Sequence, residues 1–125
     1  MAHIFIINKL GTIVHSFNVP FSRGDIVKVK NCRACLSYRN IKSLFGVNDP
    51  NVINPNDYPS SEIEKSINQW KVIDFGSNYS WELCVLLKNR LGKYAVMVWT
   101  ERNQPIELLR KVSKEKDDIF LSSKY

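Results

Sequence analysis

The sequence predicts a mainly β domain with two short helices, an α+β chain. Three observations point there. Short β-branched and apolar runs recur at residues 3–7, 12–17, 25–38, 79–89 and 92–101, and segments rich in Asn, Gly, Pro or Asp separate several of them. Two other stretches carry apolar residues at helical spacing instead. The composition, 44% hydrophobic and 24% charged, is that of a folded chain, and 125 residues make a single domain of 1–125 able to bury about two thirds of its unfolded surface.

The elements follow in order. "HIFII" (3–7) and "TIVHSF" (12–17) flank "NKLG", whose Asn8 and Gly11 supply turn chemistry, so a β-hairpin is expected. Gly24 and Asp25 mark the turn into "DIVKVKNCRACLSY". There Val27 and Val29 alternate with Lys28 and Lys30, as in a strand with valines inward and lysines in water. "IKSLFGV" reads as a shorter apolar strand. "NDPNVINPNDYPSS" is too dense in Asn, Asp, Pro and Ser for helix or strand to persist.

Ser61 and Glu64 fit an S-x-x-E capping box, and Ile63, Ile67 and Trp70 fall on one helical stripe, which predicts a helix over 61–71. "YSWELCVLLKN" and "GKYAVMVWTE" flank Asn89–Gly92 and are apolar on both faces, as central strands are. Pro105 with Ile106, Leu109 and Val112 predicts a second helix, fraying into the charged tail "SKEKDD" as a solvated face. No internal repeat or low-complexity tract is read.

Charge is uneven. The net +6 is concentrated in residues 1–56, which hold seven Lys or Arg against two Asp; residues 57–125 hold eleven against ten Asp or Glu. A local positive field attracts phosphates, acidic proteins or anionic lipid, and it can also serve solubility alone. No apolar run approaches the length that spans a bilayer, and "MAHIFIINKLG" lacks the pattern of a secretory leader. Three cysteines, an odd number, suit a reducing compartment, cytosol or nucleus.

The chemistry-bearing signal is the basic, aromatic-studded segment itself: Lys28, Lys30, Arg33, Arg39 and Lys42 with Tyr38 and Phe45. Single-stranded nucleic acid is held in this way, cations following the backbone while unpaired bases stack on rings. Phe45 and one face of the strand fit a core equally well. Cys32 and Cys35 form a C-x-x-C, but Cys84, His3 and His15 do not stand at the spacing that would complete a zinc site, and the pair lies in a strand pattern rather than at a helix start. No metal site or cofactor is expected. His3 and His15, alone in apolar strands, read as structural. No phosphate-binding loop, nucleophile elbow or paired carboxylate set occurs, so no catalytic residues are assigned and an enzyme is not expected.

The order of hairpin, "RGDIVKVKNCRA", short strand, Asn/Pro loop and "YPSSEIEKSINQW" resembles the first oligonucleotide/oligosaccharide-binding (OB) fold of the telomere end-binding, protection-of-telomeres family, over roughly residues 3–70. The resemblance implies an OB-like antiparallel barrel. Gly24, Asp25 and Ile26 would open its fourth strand, Lys28 and Lys30 would lie on that strand, and Tyr38 would sit near single-stranded DNA. The family's first strand has no counterpart before residue 3, so the barrel is either incomplete or rearranged. In the second case residues 3–71 form the OB-like part, and 79–115, a hairpin plus helix, complete the core.

The function expected is therefore a module for single-stranded DNA or RNA, with telomeric DNA as the family's ligand and Lys28, Lys30, Arg33, Tyr38, Arg39 and Lys42 as its contacts. The alternative is a protein-binding adaptor or a subunit of a larger complex, anchored by Trp81, Tyr94 and Trp99 if they are exposed. Neither reading involves a membrane.

Overall fold

A computed structural model of the chain describes residues 1–30, 42, 44–47, 69–77, 82–112 and 117–122. They are mainly β. Eight strands run in chain order: β1 (Ala2–Ile7), β2 (Ile13–Val19), β3 (Ile26–Val29), β4 (Trp70–Ser77), β5 (Leu83–Asn89), β6 (Tyr94–Trp99), β7 (Ile106–Arg110) and β8 (Asp117–Ser122). They form a three-stranded sheet, β2-β1-β8, and a five-stranded sheet, β6-β5-β4-β3-β7; among the described residues there is no closed barrel.

Period-two alternation builds the first hairpin. Ala2, Ile4 and Ile6 of β1 are buried while His3, Phe5 and Ile7 are partly exposed. The turn closes because Oδ1 of Asn8 accepts the N–H groups of Leu10 and Thr12, both at 3.0 Å, and Gly11 takes φ +80°. The same device recurs between β5 and β6: Oδ1 of Asn89 accepts Leu91 N–H (3.0 Å) and Lys93 N–H (2.9 Å), with Gly92 at φ +79°. "NKLGT" and "NRLGK" are thus one turn used twice, a likeness too short to stand out as a repeat.

The core lies between the sheets. Ala2, Ile4, Val19 and Ile119 of the smaller sheet meet Val27, Val29, Trp70, Val72, Leu83, Val85, Leu87, Ala95, Met97 and Ile106 of the larger one. Phe21, on the link between the sheets, lies parallel to Phe75 at 6.1 Å and edge-on to Trp99 at 5.3 Å. Val27 and Val29 do point inward as their alternation predicts, while Lys28 is half-buried and Lys30 exposed.

Four expectations are corrected. Residues 61–68 of the first predicted helix lie outside the described residues, but its end does not hold: Gln69 is not helical, and Trp70 and Lys71 begin β4. The helix predicted from Pro105 onward is β7, because Ile106 and Leu108, two apart, are the residues that pack on the core; Leu109 and Val112 are exposed. Part of the charged tail is β8, which pairs in parallel with β1 from Ala2↔Asp117 to Ile7↔Ser122. The strand read in "IKSLFGV" is helical at Lys42, Leu44 and Phe45; Gly46 N–H donates to the Lys42 carbonyl at 2.9 Å and Gly46 has φ +68°.

Candidate anion-binding face

The outer face of the five-stranded sheet divides in two. Over one part, Leu44, Phe45 and Val47 pack on Cys84, Leu86, Val96 and Val98, together with Ile73 and Tyr94. This explains why β5 and β6 are apolar on both faces. Phe45 is therefore a covering residue, and its core reading is the one observed. Gly76 makes room for it, since a Cβ there would stand 2.9 Å from Cε1 of the Phe45 ring.

The other part is a row of cations. Arg110 of β7 stands opposite Ile26 of β3, Ile26 opposite Lys71 of β4, Lys71 opposite Lys88 of β5, and Lys88 opposite Tyr94 of β6. One register line thus crosses all five strands, about 19 Å at ordinary strand spacing. The Lys88 ammonium lies 5.0 Å from the centroid of the Tyr94 ring, a cation–π contact that joins the charged row to the apolar cover. Lys28 extends the patch along β3, two residues beyond Ile26, and faces Glu107 across β7.

Placing Lys71 directly opposite Lys88 is unfavourable, since like charges at a cross-strand pair repel. Around them opens a solvent-accessible pocket of about 300 Å³, lined by the cations Lys71, Lys88, Arg90 and Arg110 together with Gln69, Asn89 and Ile26. No carboxylate is among these residues. Asn89 is 4% exposed, and its Nδ2 has no hydrogen-bond partner among the described residues, although its Oδ1 is satisfied by the turn.

A clasp on the other side of the sheet holds this row in register. Gly24, at φ +93°, donates its N–H to the Val72 carbonyl at 2.8 Å, and Val72 N–H donates to the Asp25 carbonyl at 3.0 Å. The Asp25 carboxylate, fully buried, accepts Ser22 N–H at Oδ2 (2.9 Å) and Val112 N–H at Oδ1 (2.8 Å). Asp25 therefore ties the start of β3 to β4 and to the end of β7, the strands that carry Lys71 and Arg110. Arg23 is engaged elsewhere, 3.1 Å from Asp74.

Of the residues expected from sequence, Lys28 lies on this face, Lys30 is exposed just past β3 with its N–H donated to the Pro105 carbonyl (2.7 Å), and Lys42 is exposed on the helical turn beside the cover. Arg33, Tyr38 and Arg39 lie outside the described residues, as do Cys32, Cys35 and Trp81. Trp99 is 4% exposed and belongs to the core, so it is no anchor for a partner; Tyr94 is half-buried. Cys84 is buried, with Sγ 4.0 Å from the Glu82 carbonyl oxygen. His15 stacks on Phe17 at 4.8 Å, and His3 Nδ1 is 3.8 Å from Asp118. Among the described residues no three His, Cys, Asp or Glu gather as metal ligands would, and no helix is long and apolar enough to cross a membrane.

Sequence reasoning missed Lys71, Lys88, Arg90 and Arg110. A signal for three of them existed: "LLKNR" sets two cations around the Asn89 turn, and Lys71 sits between Trp70 and Val72 as the polar member of an alternating triplet. No family model, curated protein or solved structure matches the chain.

Proposed function

We propose that the protein is a non-enzymatic binding module that holds single-stranded nucleic acid across the open part of its five-stranded sheet. The observation that carries this reading is the register line Arg110–Ile26–Lys71–Lys88–Tyr94, with Lys28 beside it. The cations along this line neutralise phosphate charges of a strand laid across it. Tyr94 offers a ring on which a base stacks, for about 1–3 kcal/mol, once Lys88 moves from that ring onto a phosphate. Lys30 and Lys42, both exposed, extend the positive field, and Arg33, Tyr38 and Arg39 remain part of the proposed contact set.

The finer reading, an open, rearranged OB-type fold with telomeric single-stranded DNA as ligand, is supported by the Gly24–Asp25–Ile26 turn opening β3, with Lys28 following on the same face. A reducing compartment, nucleus or cytosol, accords with the buried thiol of Cys84. The test is fluorescence anisotropy with single-stranded DNA, single-stranded RNA and duplex at about 50 and about 300 mM salt. Four neutralised phosphate charges on a single strand correspond to a loss of about 10²-fold in affinity over that range. Absence of binding at micromolar protein, or binding indifferent to salt, sinks the reading.

One observation favours a protein partner instead. On the outer face of the smaller sheet Phe5 stacks on Phe120 at 5.1 Å, and Phe120 is 59% exposed, with Ile13 at 53%. An adaptor or an oligomeric subunit would cover these residues, and its solution mass would rise with concentration.

A further inference from the structure

We propose that the pocket at Lys71 and Lys88 seats a phosphate group carrying more than one negative charge: a terminal phosphomonoester of the bound strand, or a free oligophosphate. An internal phosphodiester brings one charge and two unbridged oxygens. A phosphomonoester brings nearly two charges near neutral pH and three acceptor oxygens. Four cations around one pocket match the second group and exceed the first.

The arrangement of the donors agrees. Lys71 and Lys88 are a directly opposed pair on neighbouring strands, close enough for both ammonium groups to converge on one multi-oxygen anion, which turns their repulsion into a shared contact. Arg90 and Arg110 add planar forks suited to two phosphate oxygens each. A pocket of about 300 Å³, open to solvent, has room for a phosphate group.

The terminal-phosphate source rests on the nucleic-acid reading above, and the test separates the two. Short fluorescent oligothymidines ending in 5′-hydroxyl, 5′-phosphate or 3′-phosphate are titrated against the protein, with pyrophosphate as a competitor and, separately, as a thermal stabiliser. A phosphorylated end is expected to tighten binding about tenfold. That preference should vanish in Lys71→Gln and in Arg110→Gln, and survive in Lys28→Gln, whose overall affinity falls. Salt-dependent binding with no preference for any end overturns the terminal-phosphate source and leaves the nucleic-acid reading standing; if pyrophosphate then neither competes nor raises the Tm, the whole inference is overturned. If no oligonucleotide binds, that reading fails and pyrophosphate decides: a saturable rise in Tm, lost in Lys71→Gln, supports a free oligophosphate, and no rise overturns the proposal.

Discussion

Asp25 shows how much one residue can fix. Its backbone and side chain together hold β3 against β4 and β7, and both carboxylate oxygens accept backbone N–H groups in a site closed to water. Asp25→Asn turns one acceptor into a donor that faces another N–H, so both groups lose their partners. The cost expected is about 3 kcal/mol, a large share of a domain's stability, read as a lower urea midpoint with an unchanged slope. A shift below about 1 kcal/mol would show that the clasp does not hold the strands. At this scale the sequence was legible in part. Gly24–Asp25 stood out as a turn before a strand, but the reach of Asp25 to Val112, 87 positions on, has no local signature. Gly76 was likewise silent, because its lack of a side chain matters only once Phe45 lies over it.

Among the elements, legibility followed regularity of pairing. β1, β2, β5 and β6 come as hairpins joined by Asn/Gly turns, and both halves of each pair announce themselves within about 20 residues. β4 did not. A bulge between Val72 and Asp74 shifts the inward position from 74 to 75, which breaks the period of two and leaves Trp70 to be read as the end of a helical stripe. β7 carries a similar irregularity: Ile26 pairs with Arg110 but Val27 with Leu108, so Leu109 is the extra residue and the spacing of apolar groups mimics a helix. The charged row was hidden for the same reason, since Lys71 and Arg110 lie on these two strands. Its contribution to binding is additive in charge. Lys71→Glu with Lys88→Glu should flatten the dependence of log affinity on log salt by at least about 1.4, roughly 0.7 for each phosphate charge no longer neutralised. An unchanged slope in the double variant, with the fold intact by circular dichroism, would move the ligand to another face.

Across the whole molecule, the two-sheet architecture rests on a pairing that sequence reasoning had no means to see: β1 and β8 lie side by side in parallel although they stand at opposite ends of the described chain. "DDIFLS" offers only Ile119 and Leu121 to the core, too little apolar pattern to distinguish it from a solvated tail. The same global view exposes a tension between folding and binding. A net charge of +6, with Lys71 and Lys88 opposed on one sheet face, stores repulsion that folding must overcome, and a bound polyanion releases it. Lys71→Thr removes one of the two charges and introduces a residue that suits an exposed strand position. At low ionic strength it should melt a few degrees above the wild type, for a repulsion of about 0.2–1 kcal/mol plus the gain in strand propensity. Salt then tells the two contributions apart, because screening removes the charge component and leaves propensity untouched. The gap between the variants should narrow as salt rises, and the wild type should gain more from added salt than Lys71→Thr does. Equal gains in both would mean that the opposed lysines carry no strain, and the case for an anion that relieves it would lose its energetic basis.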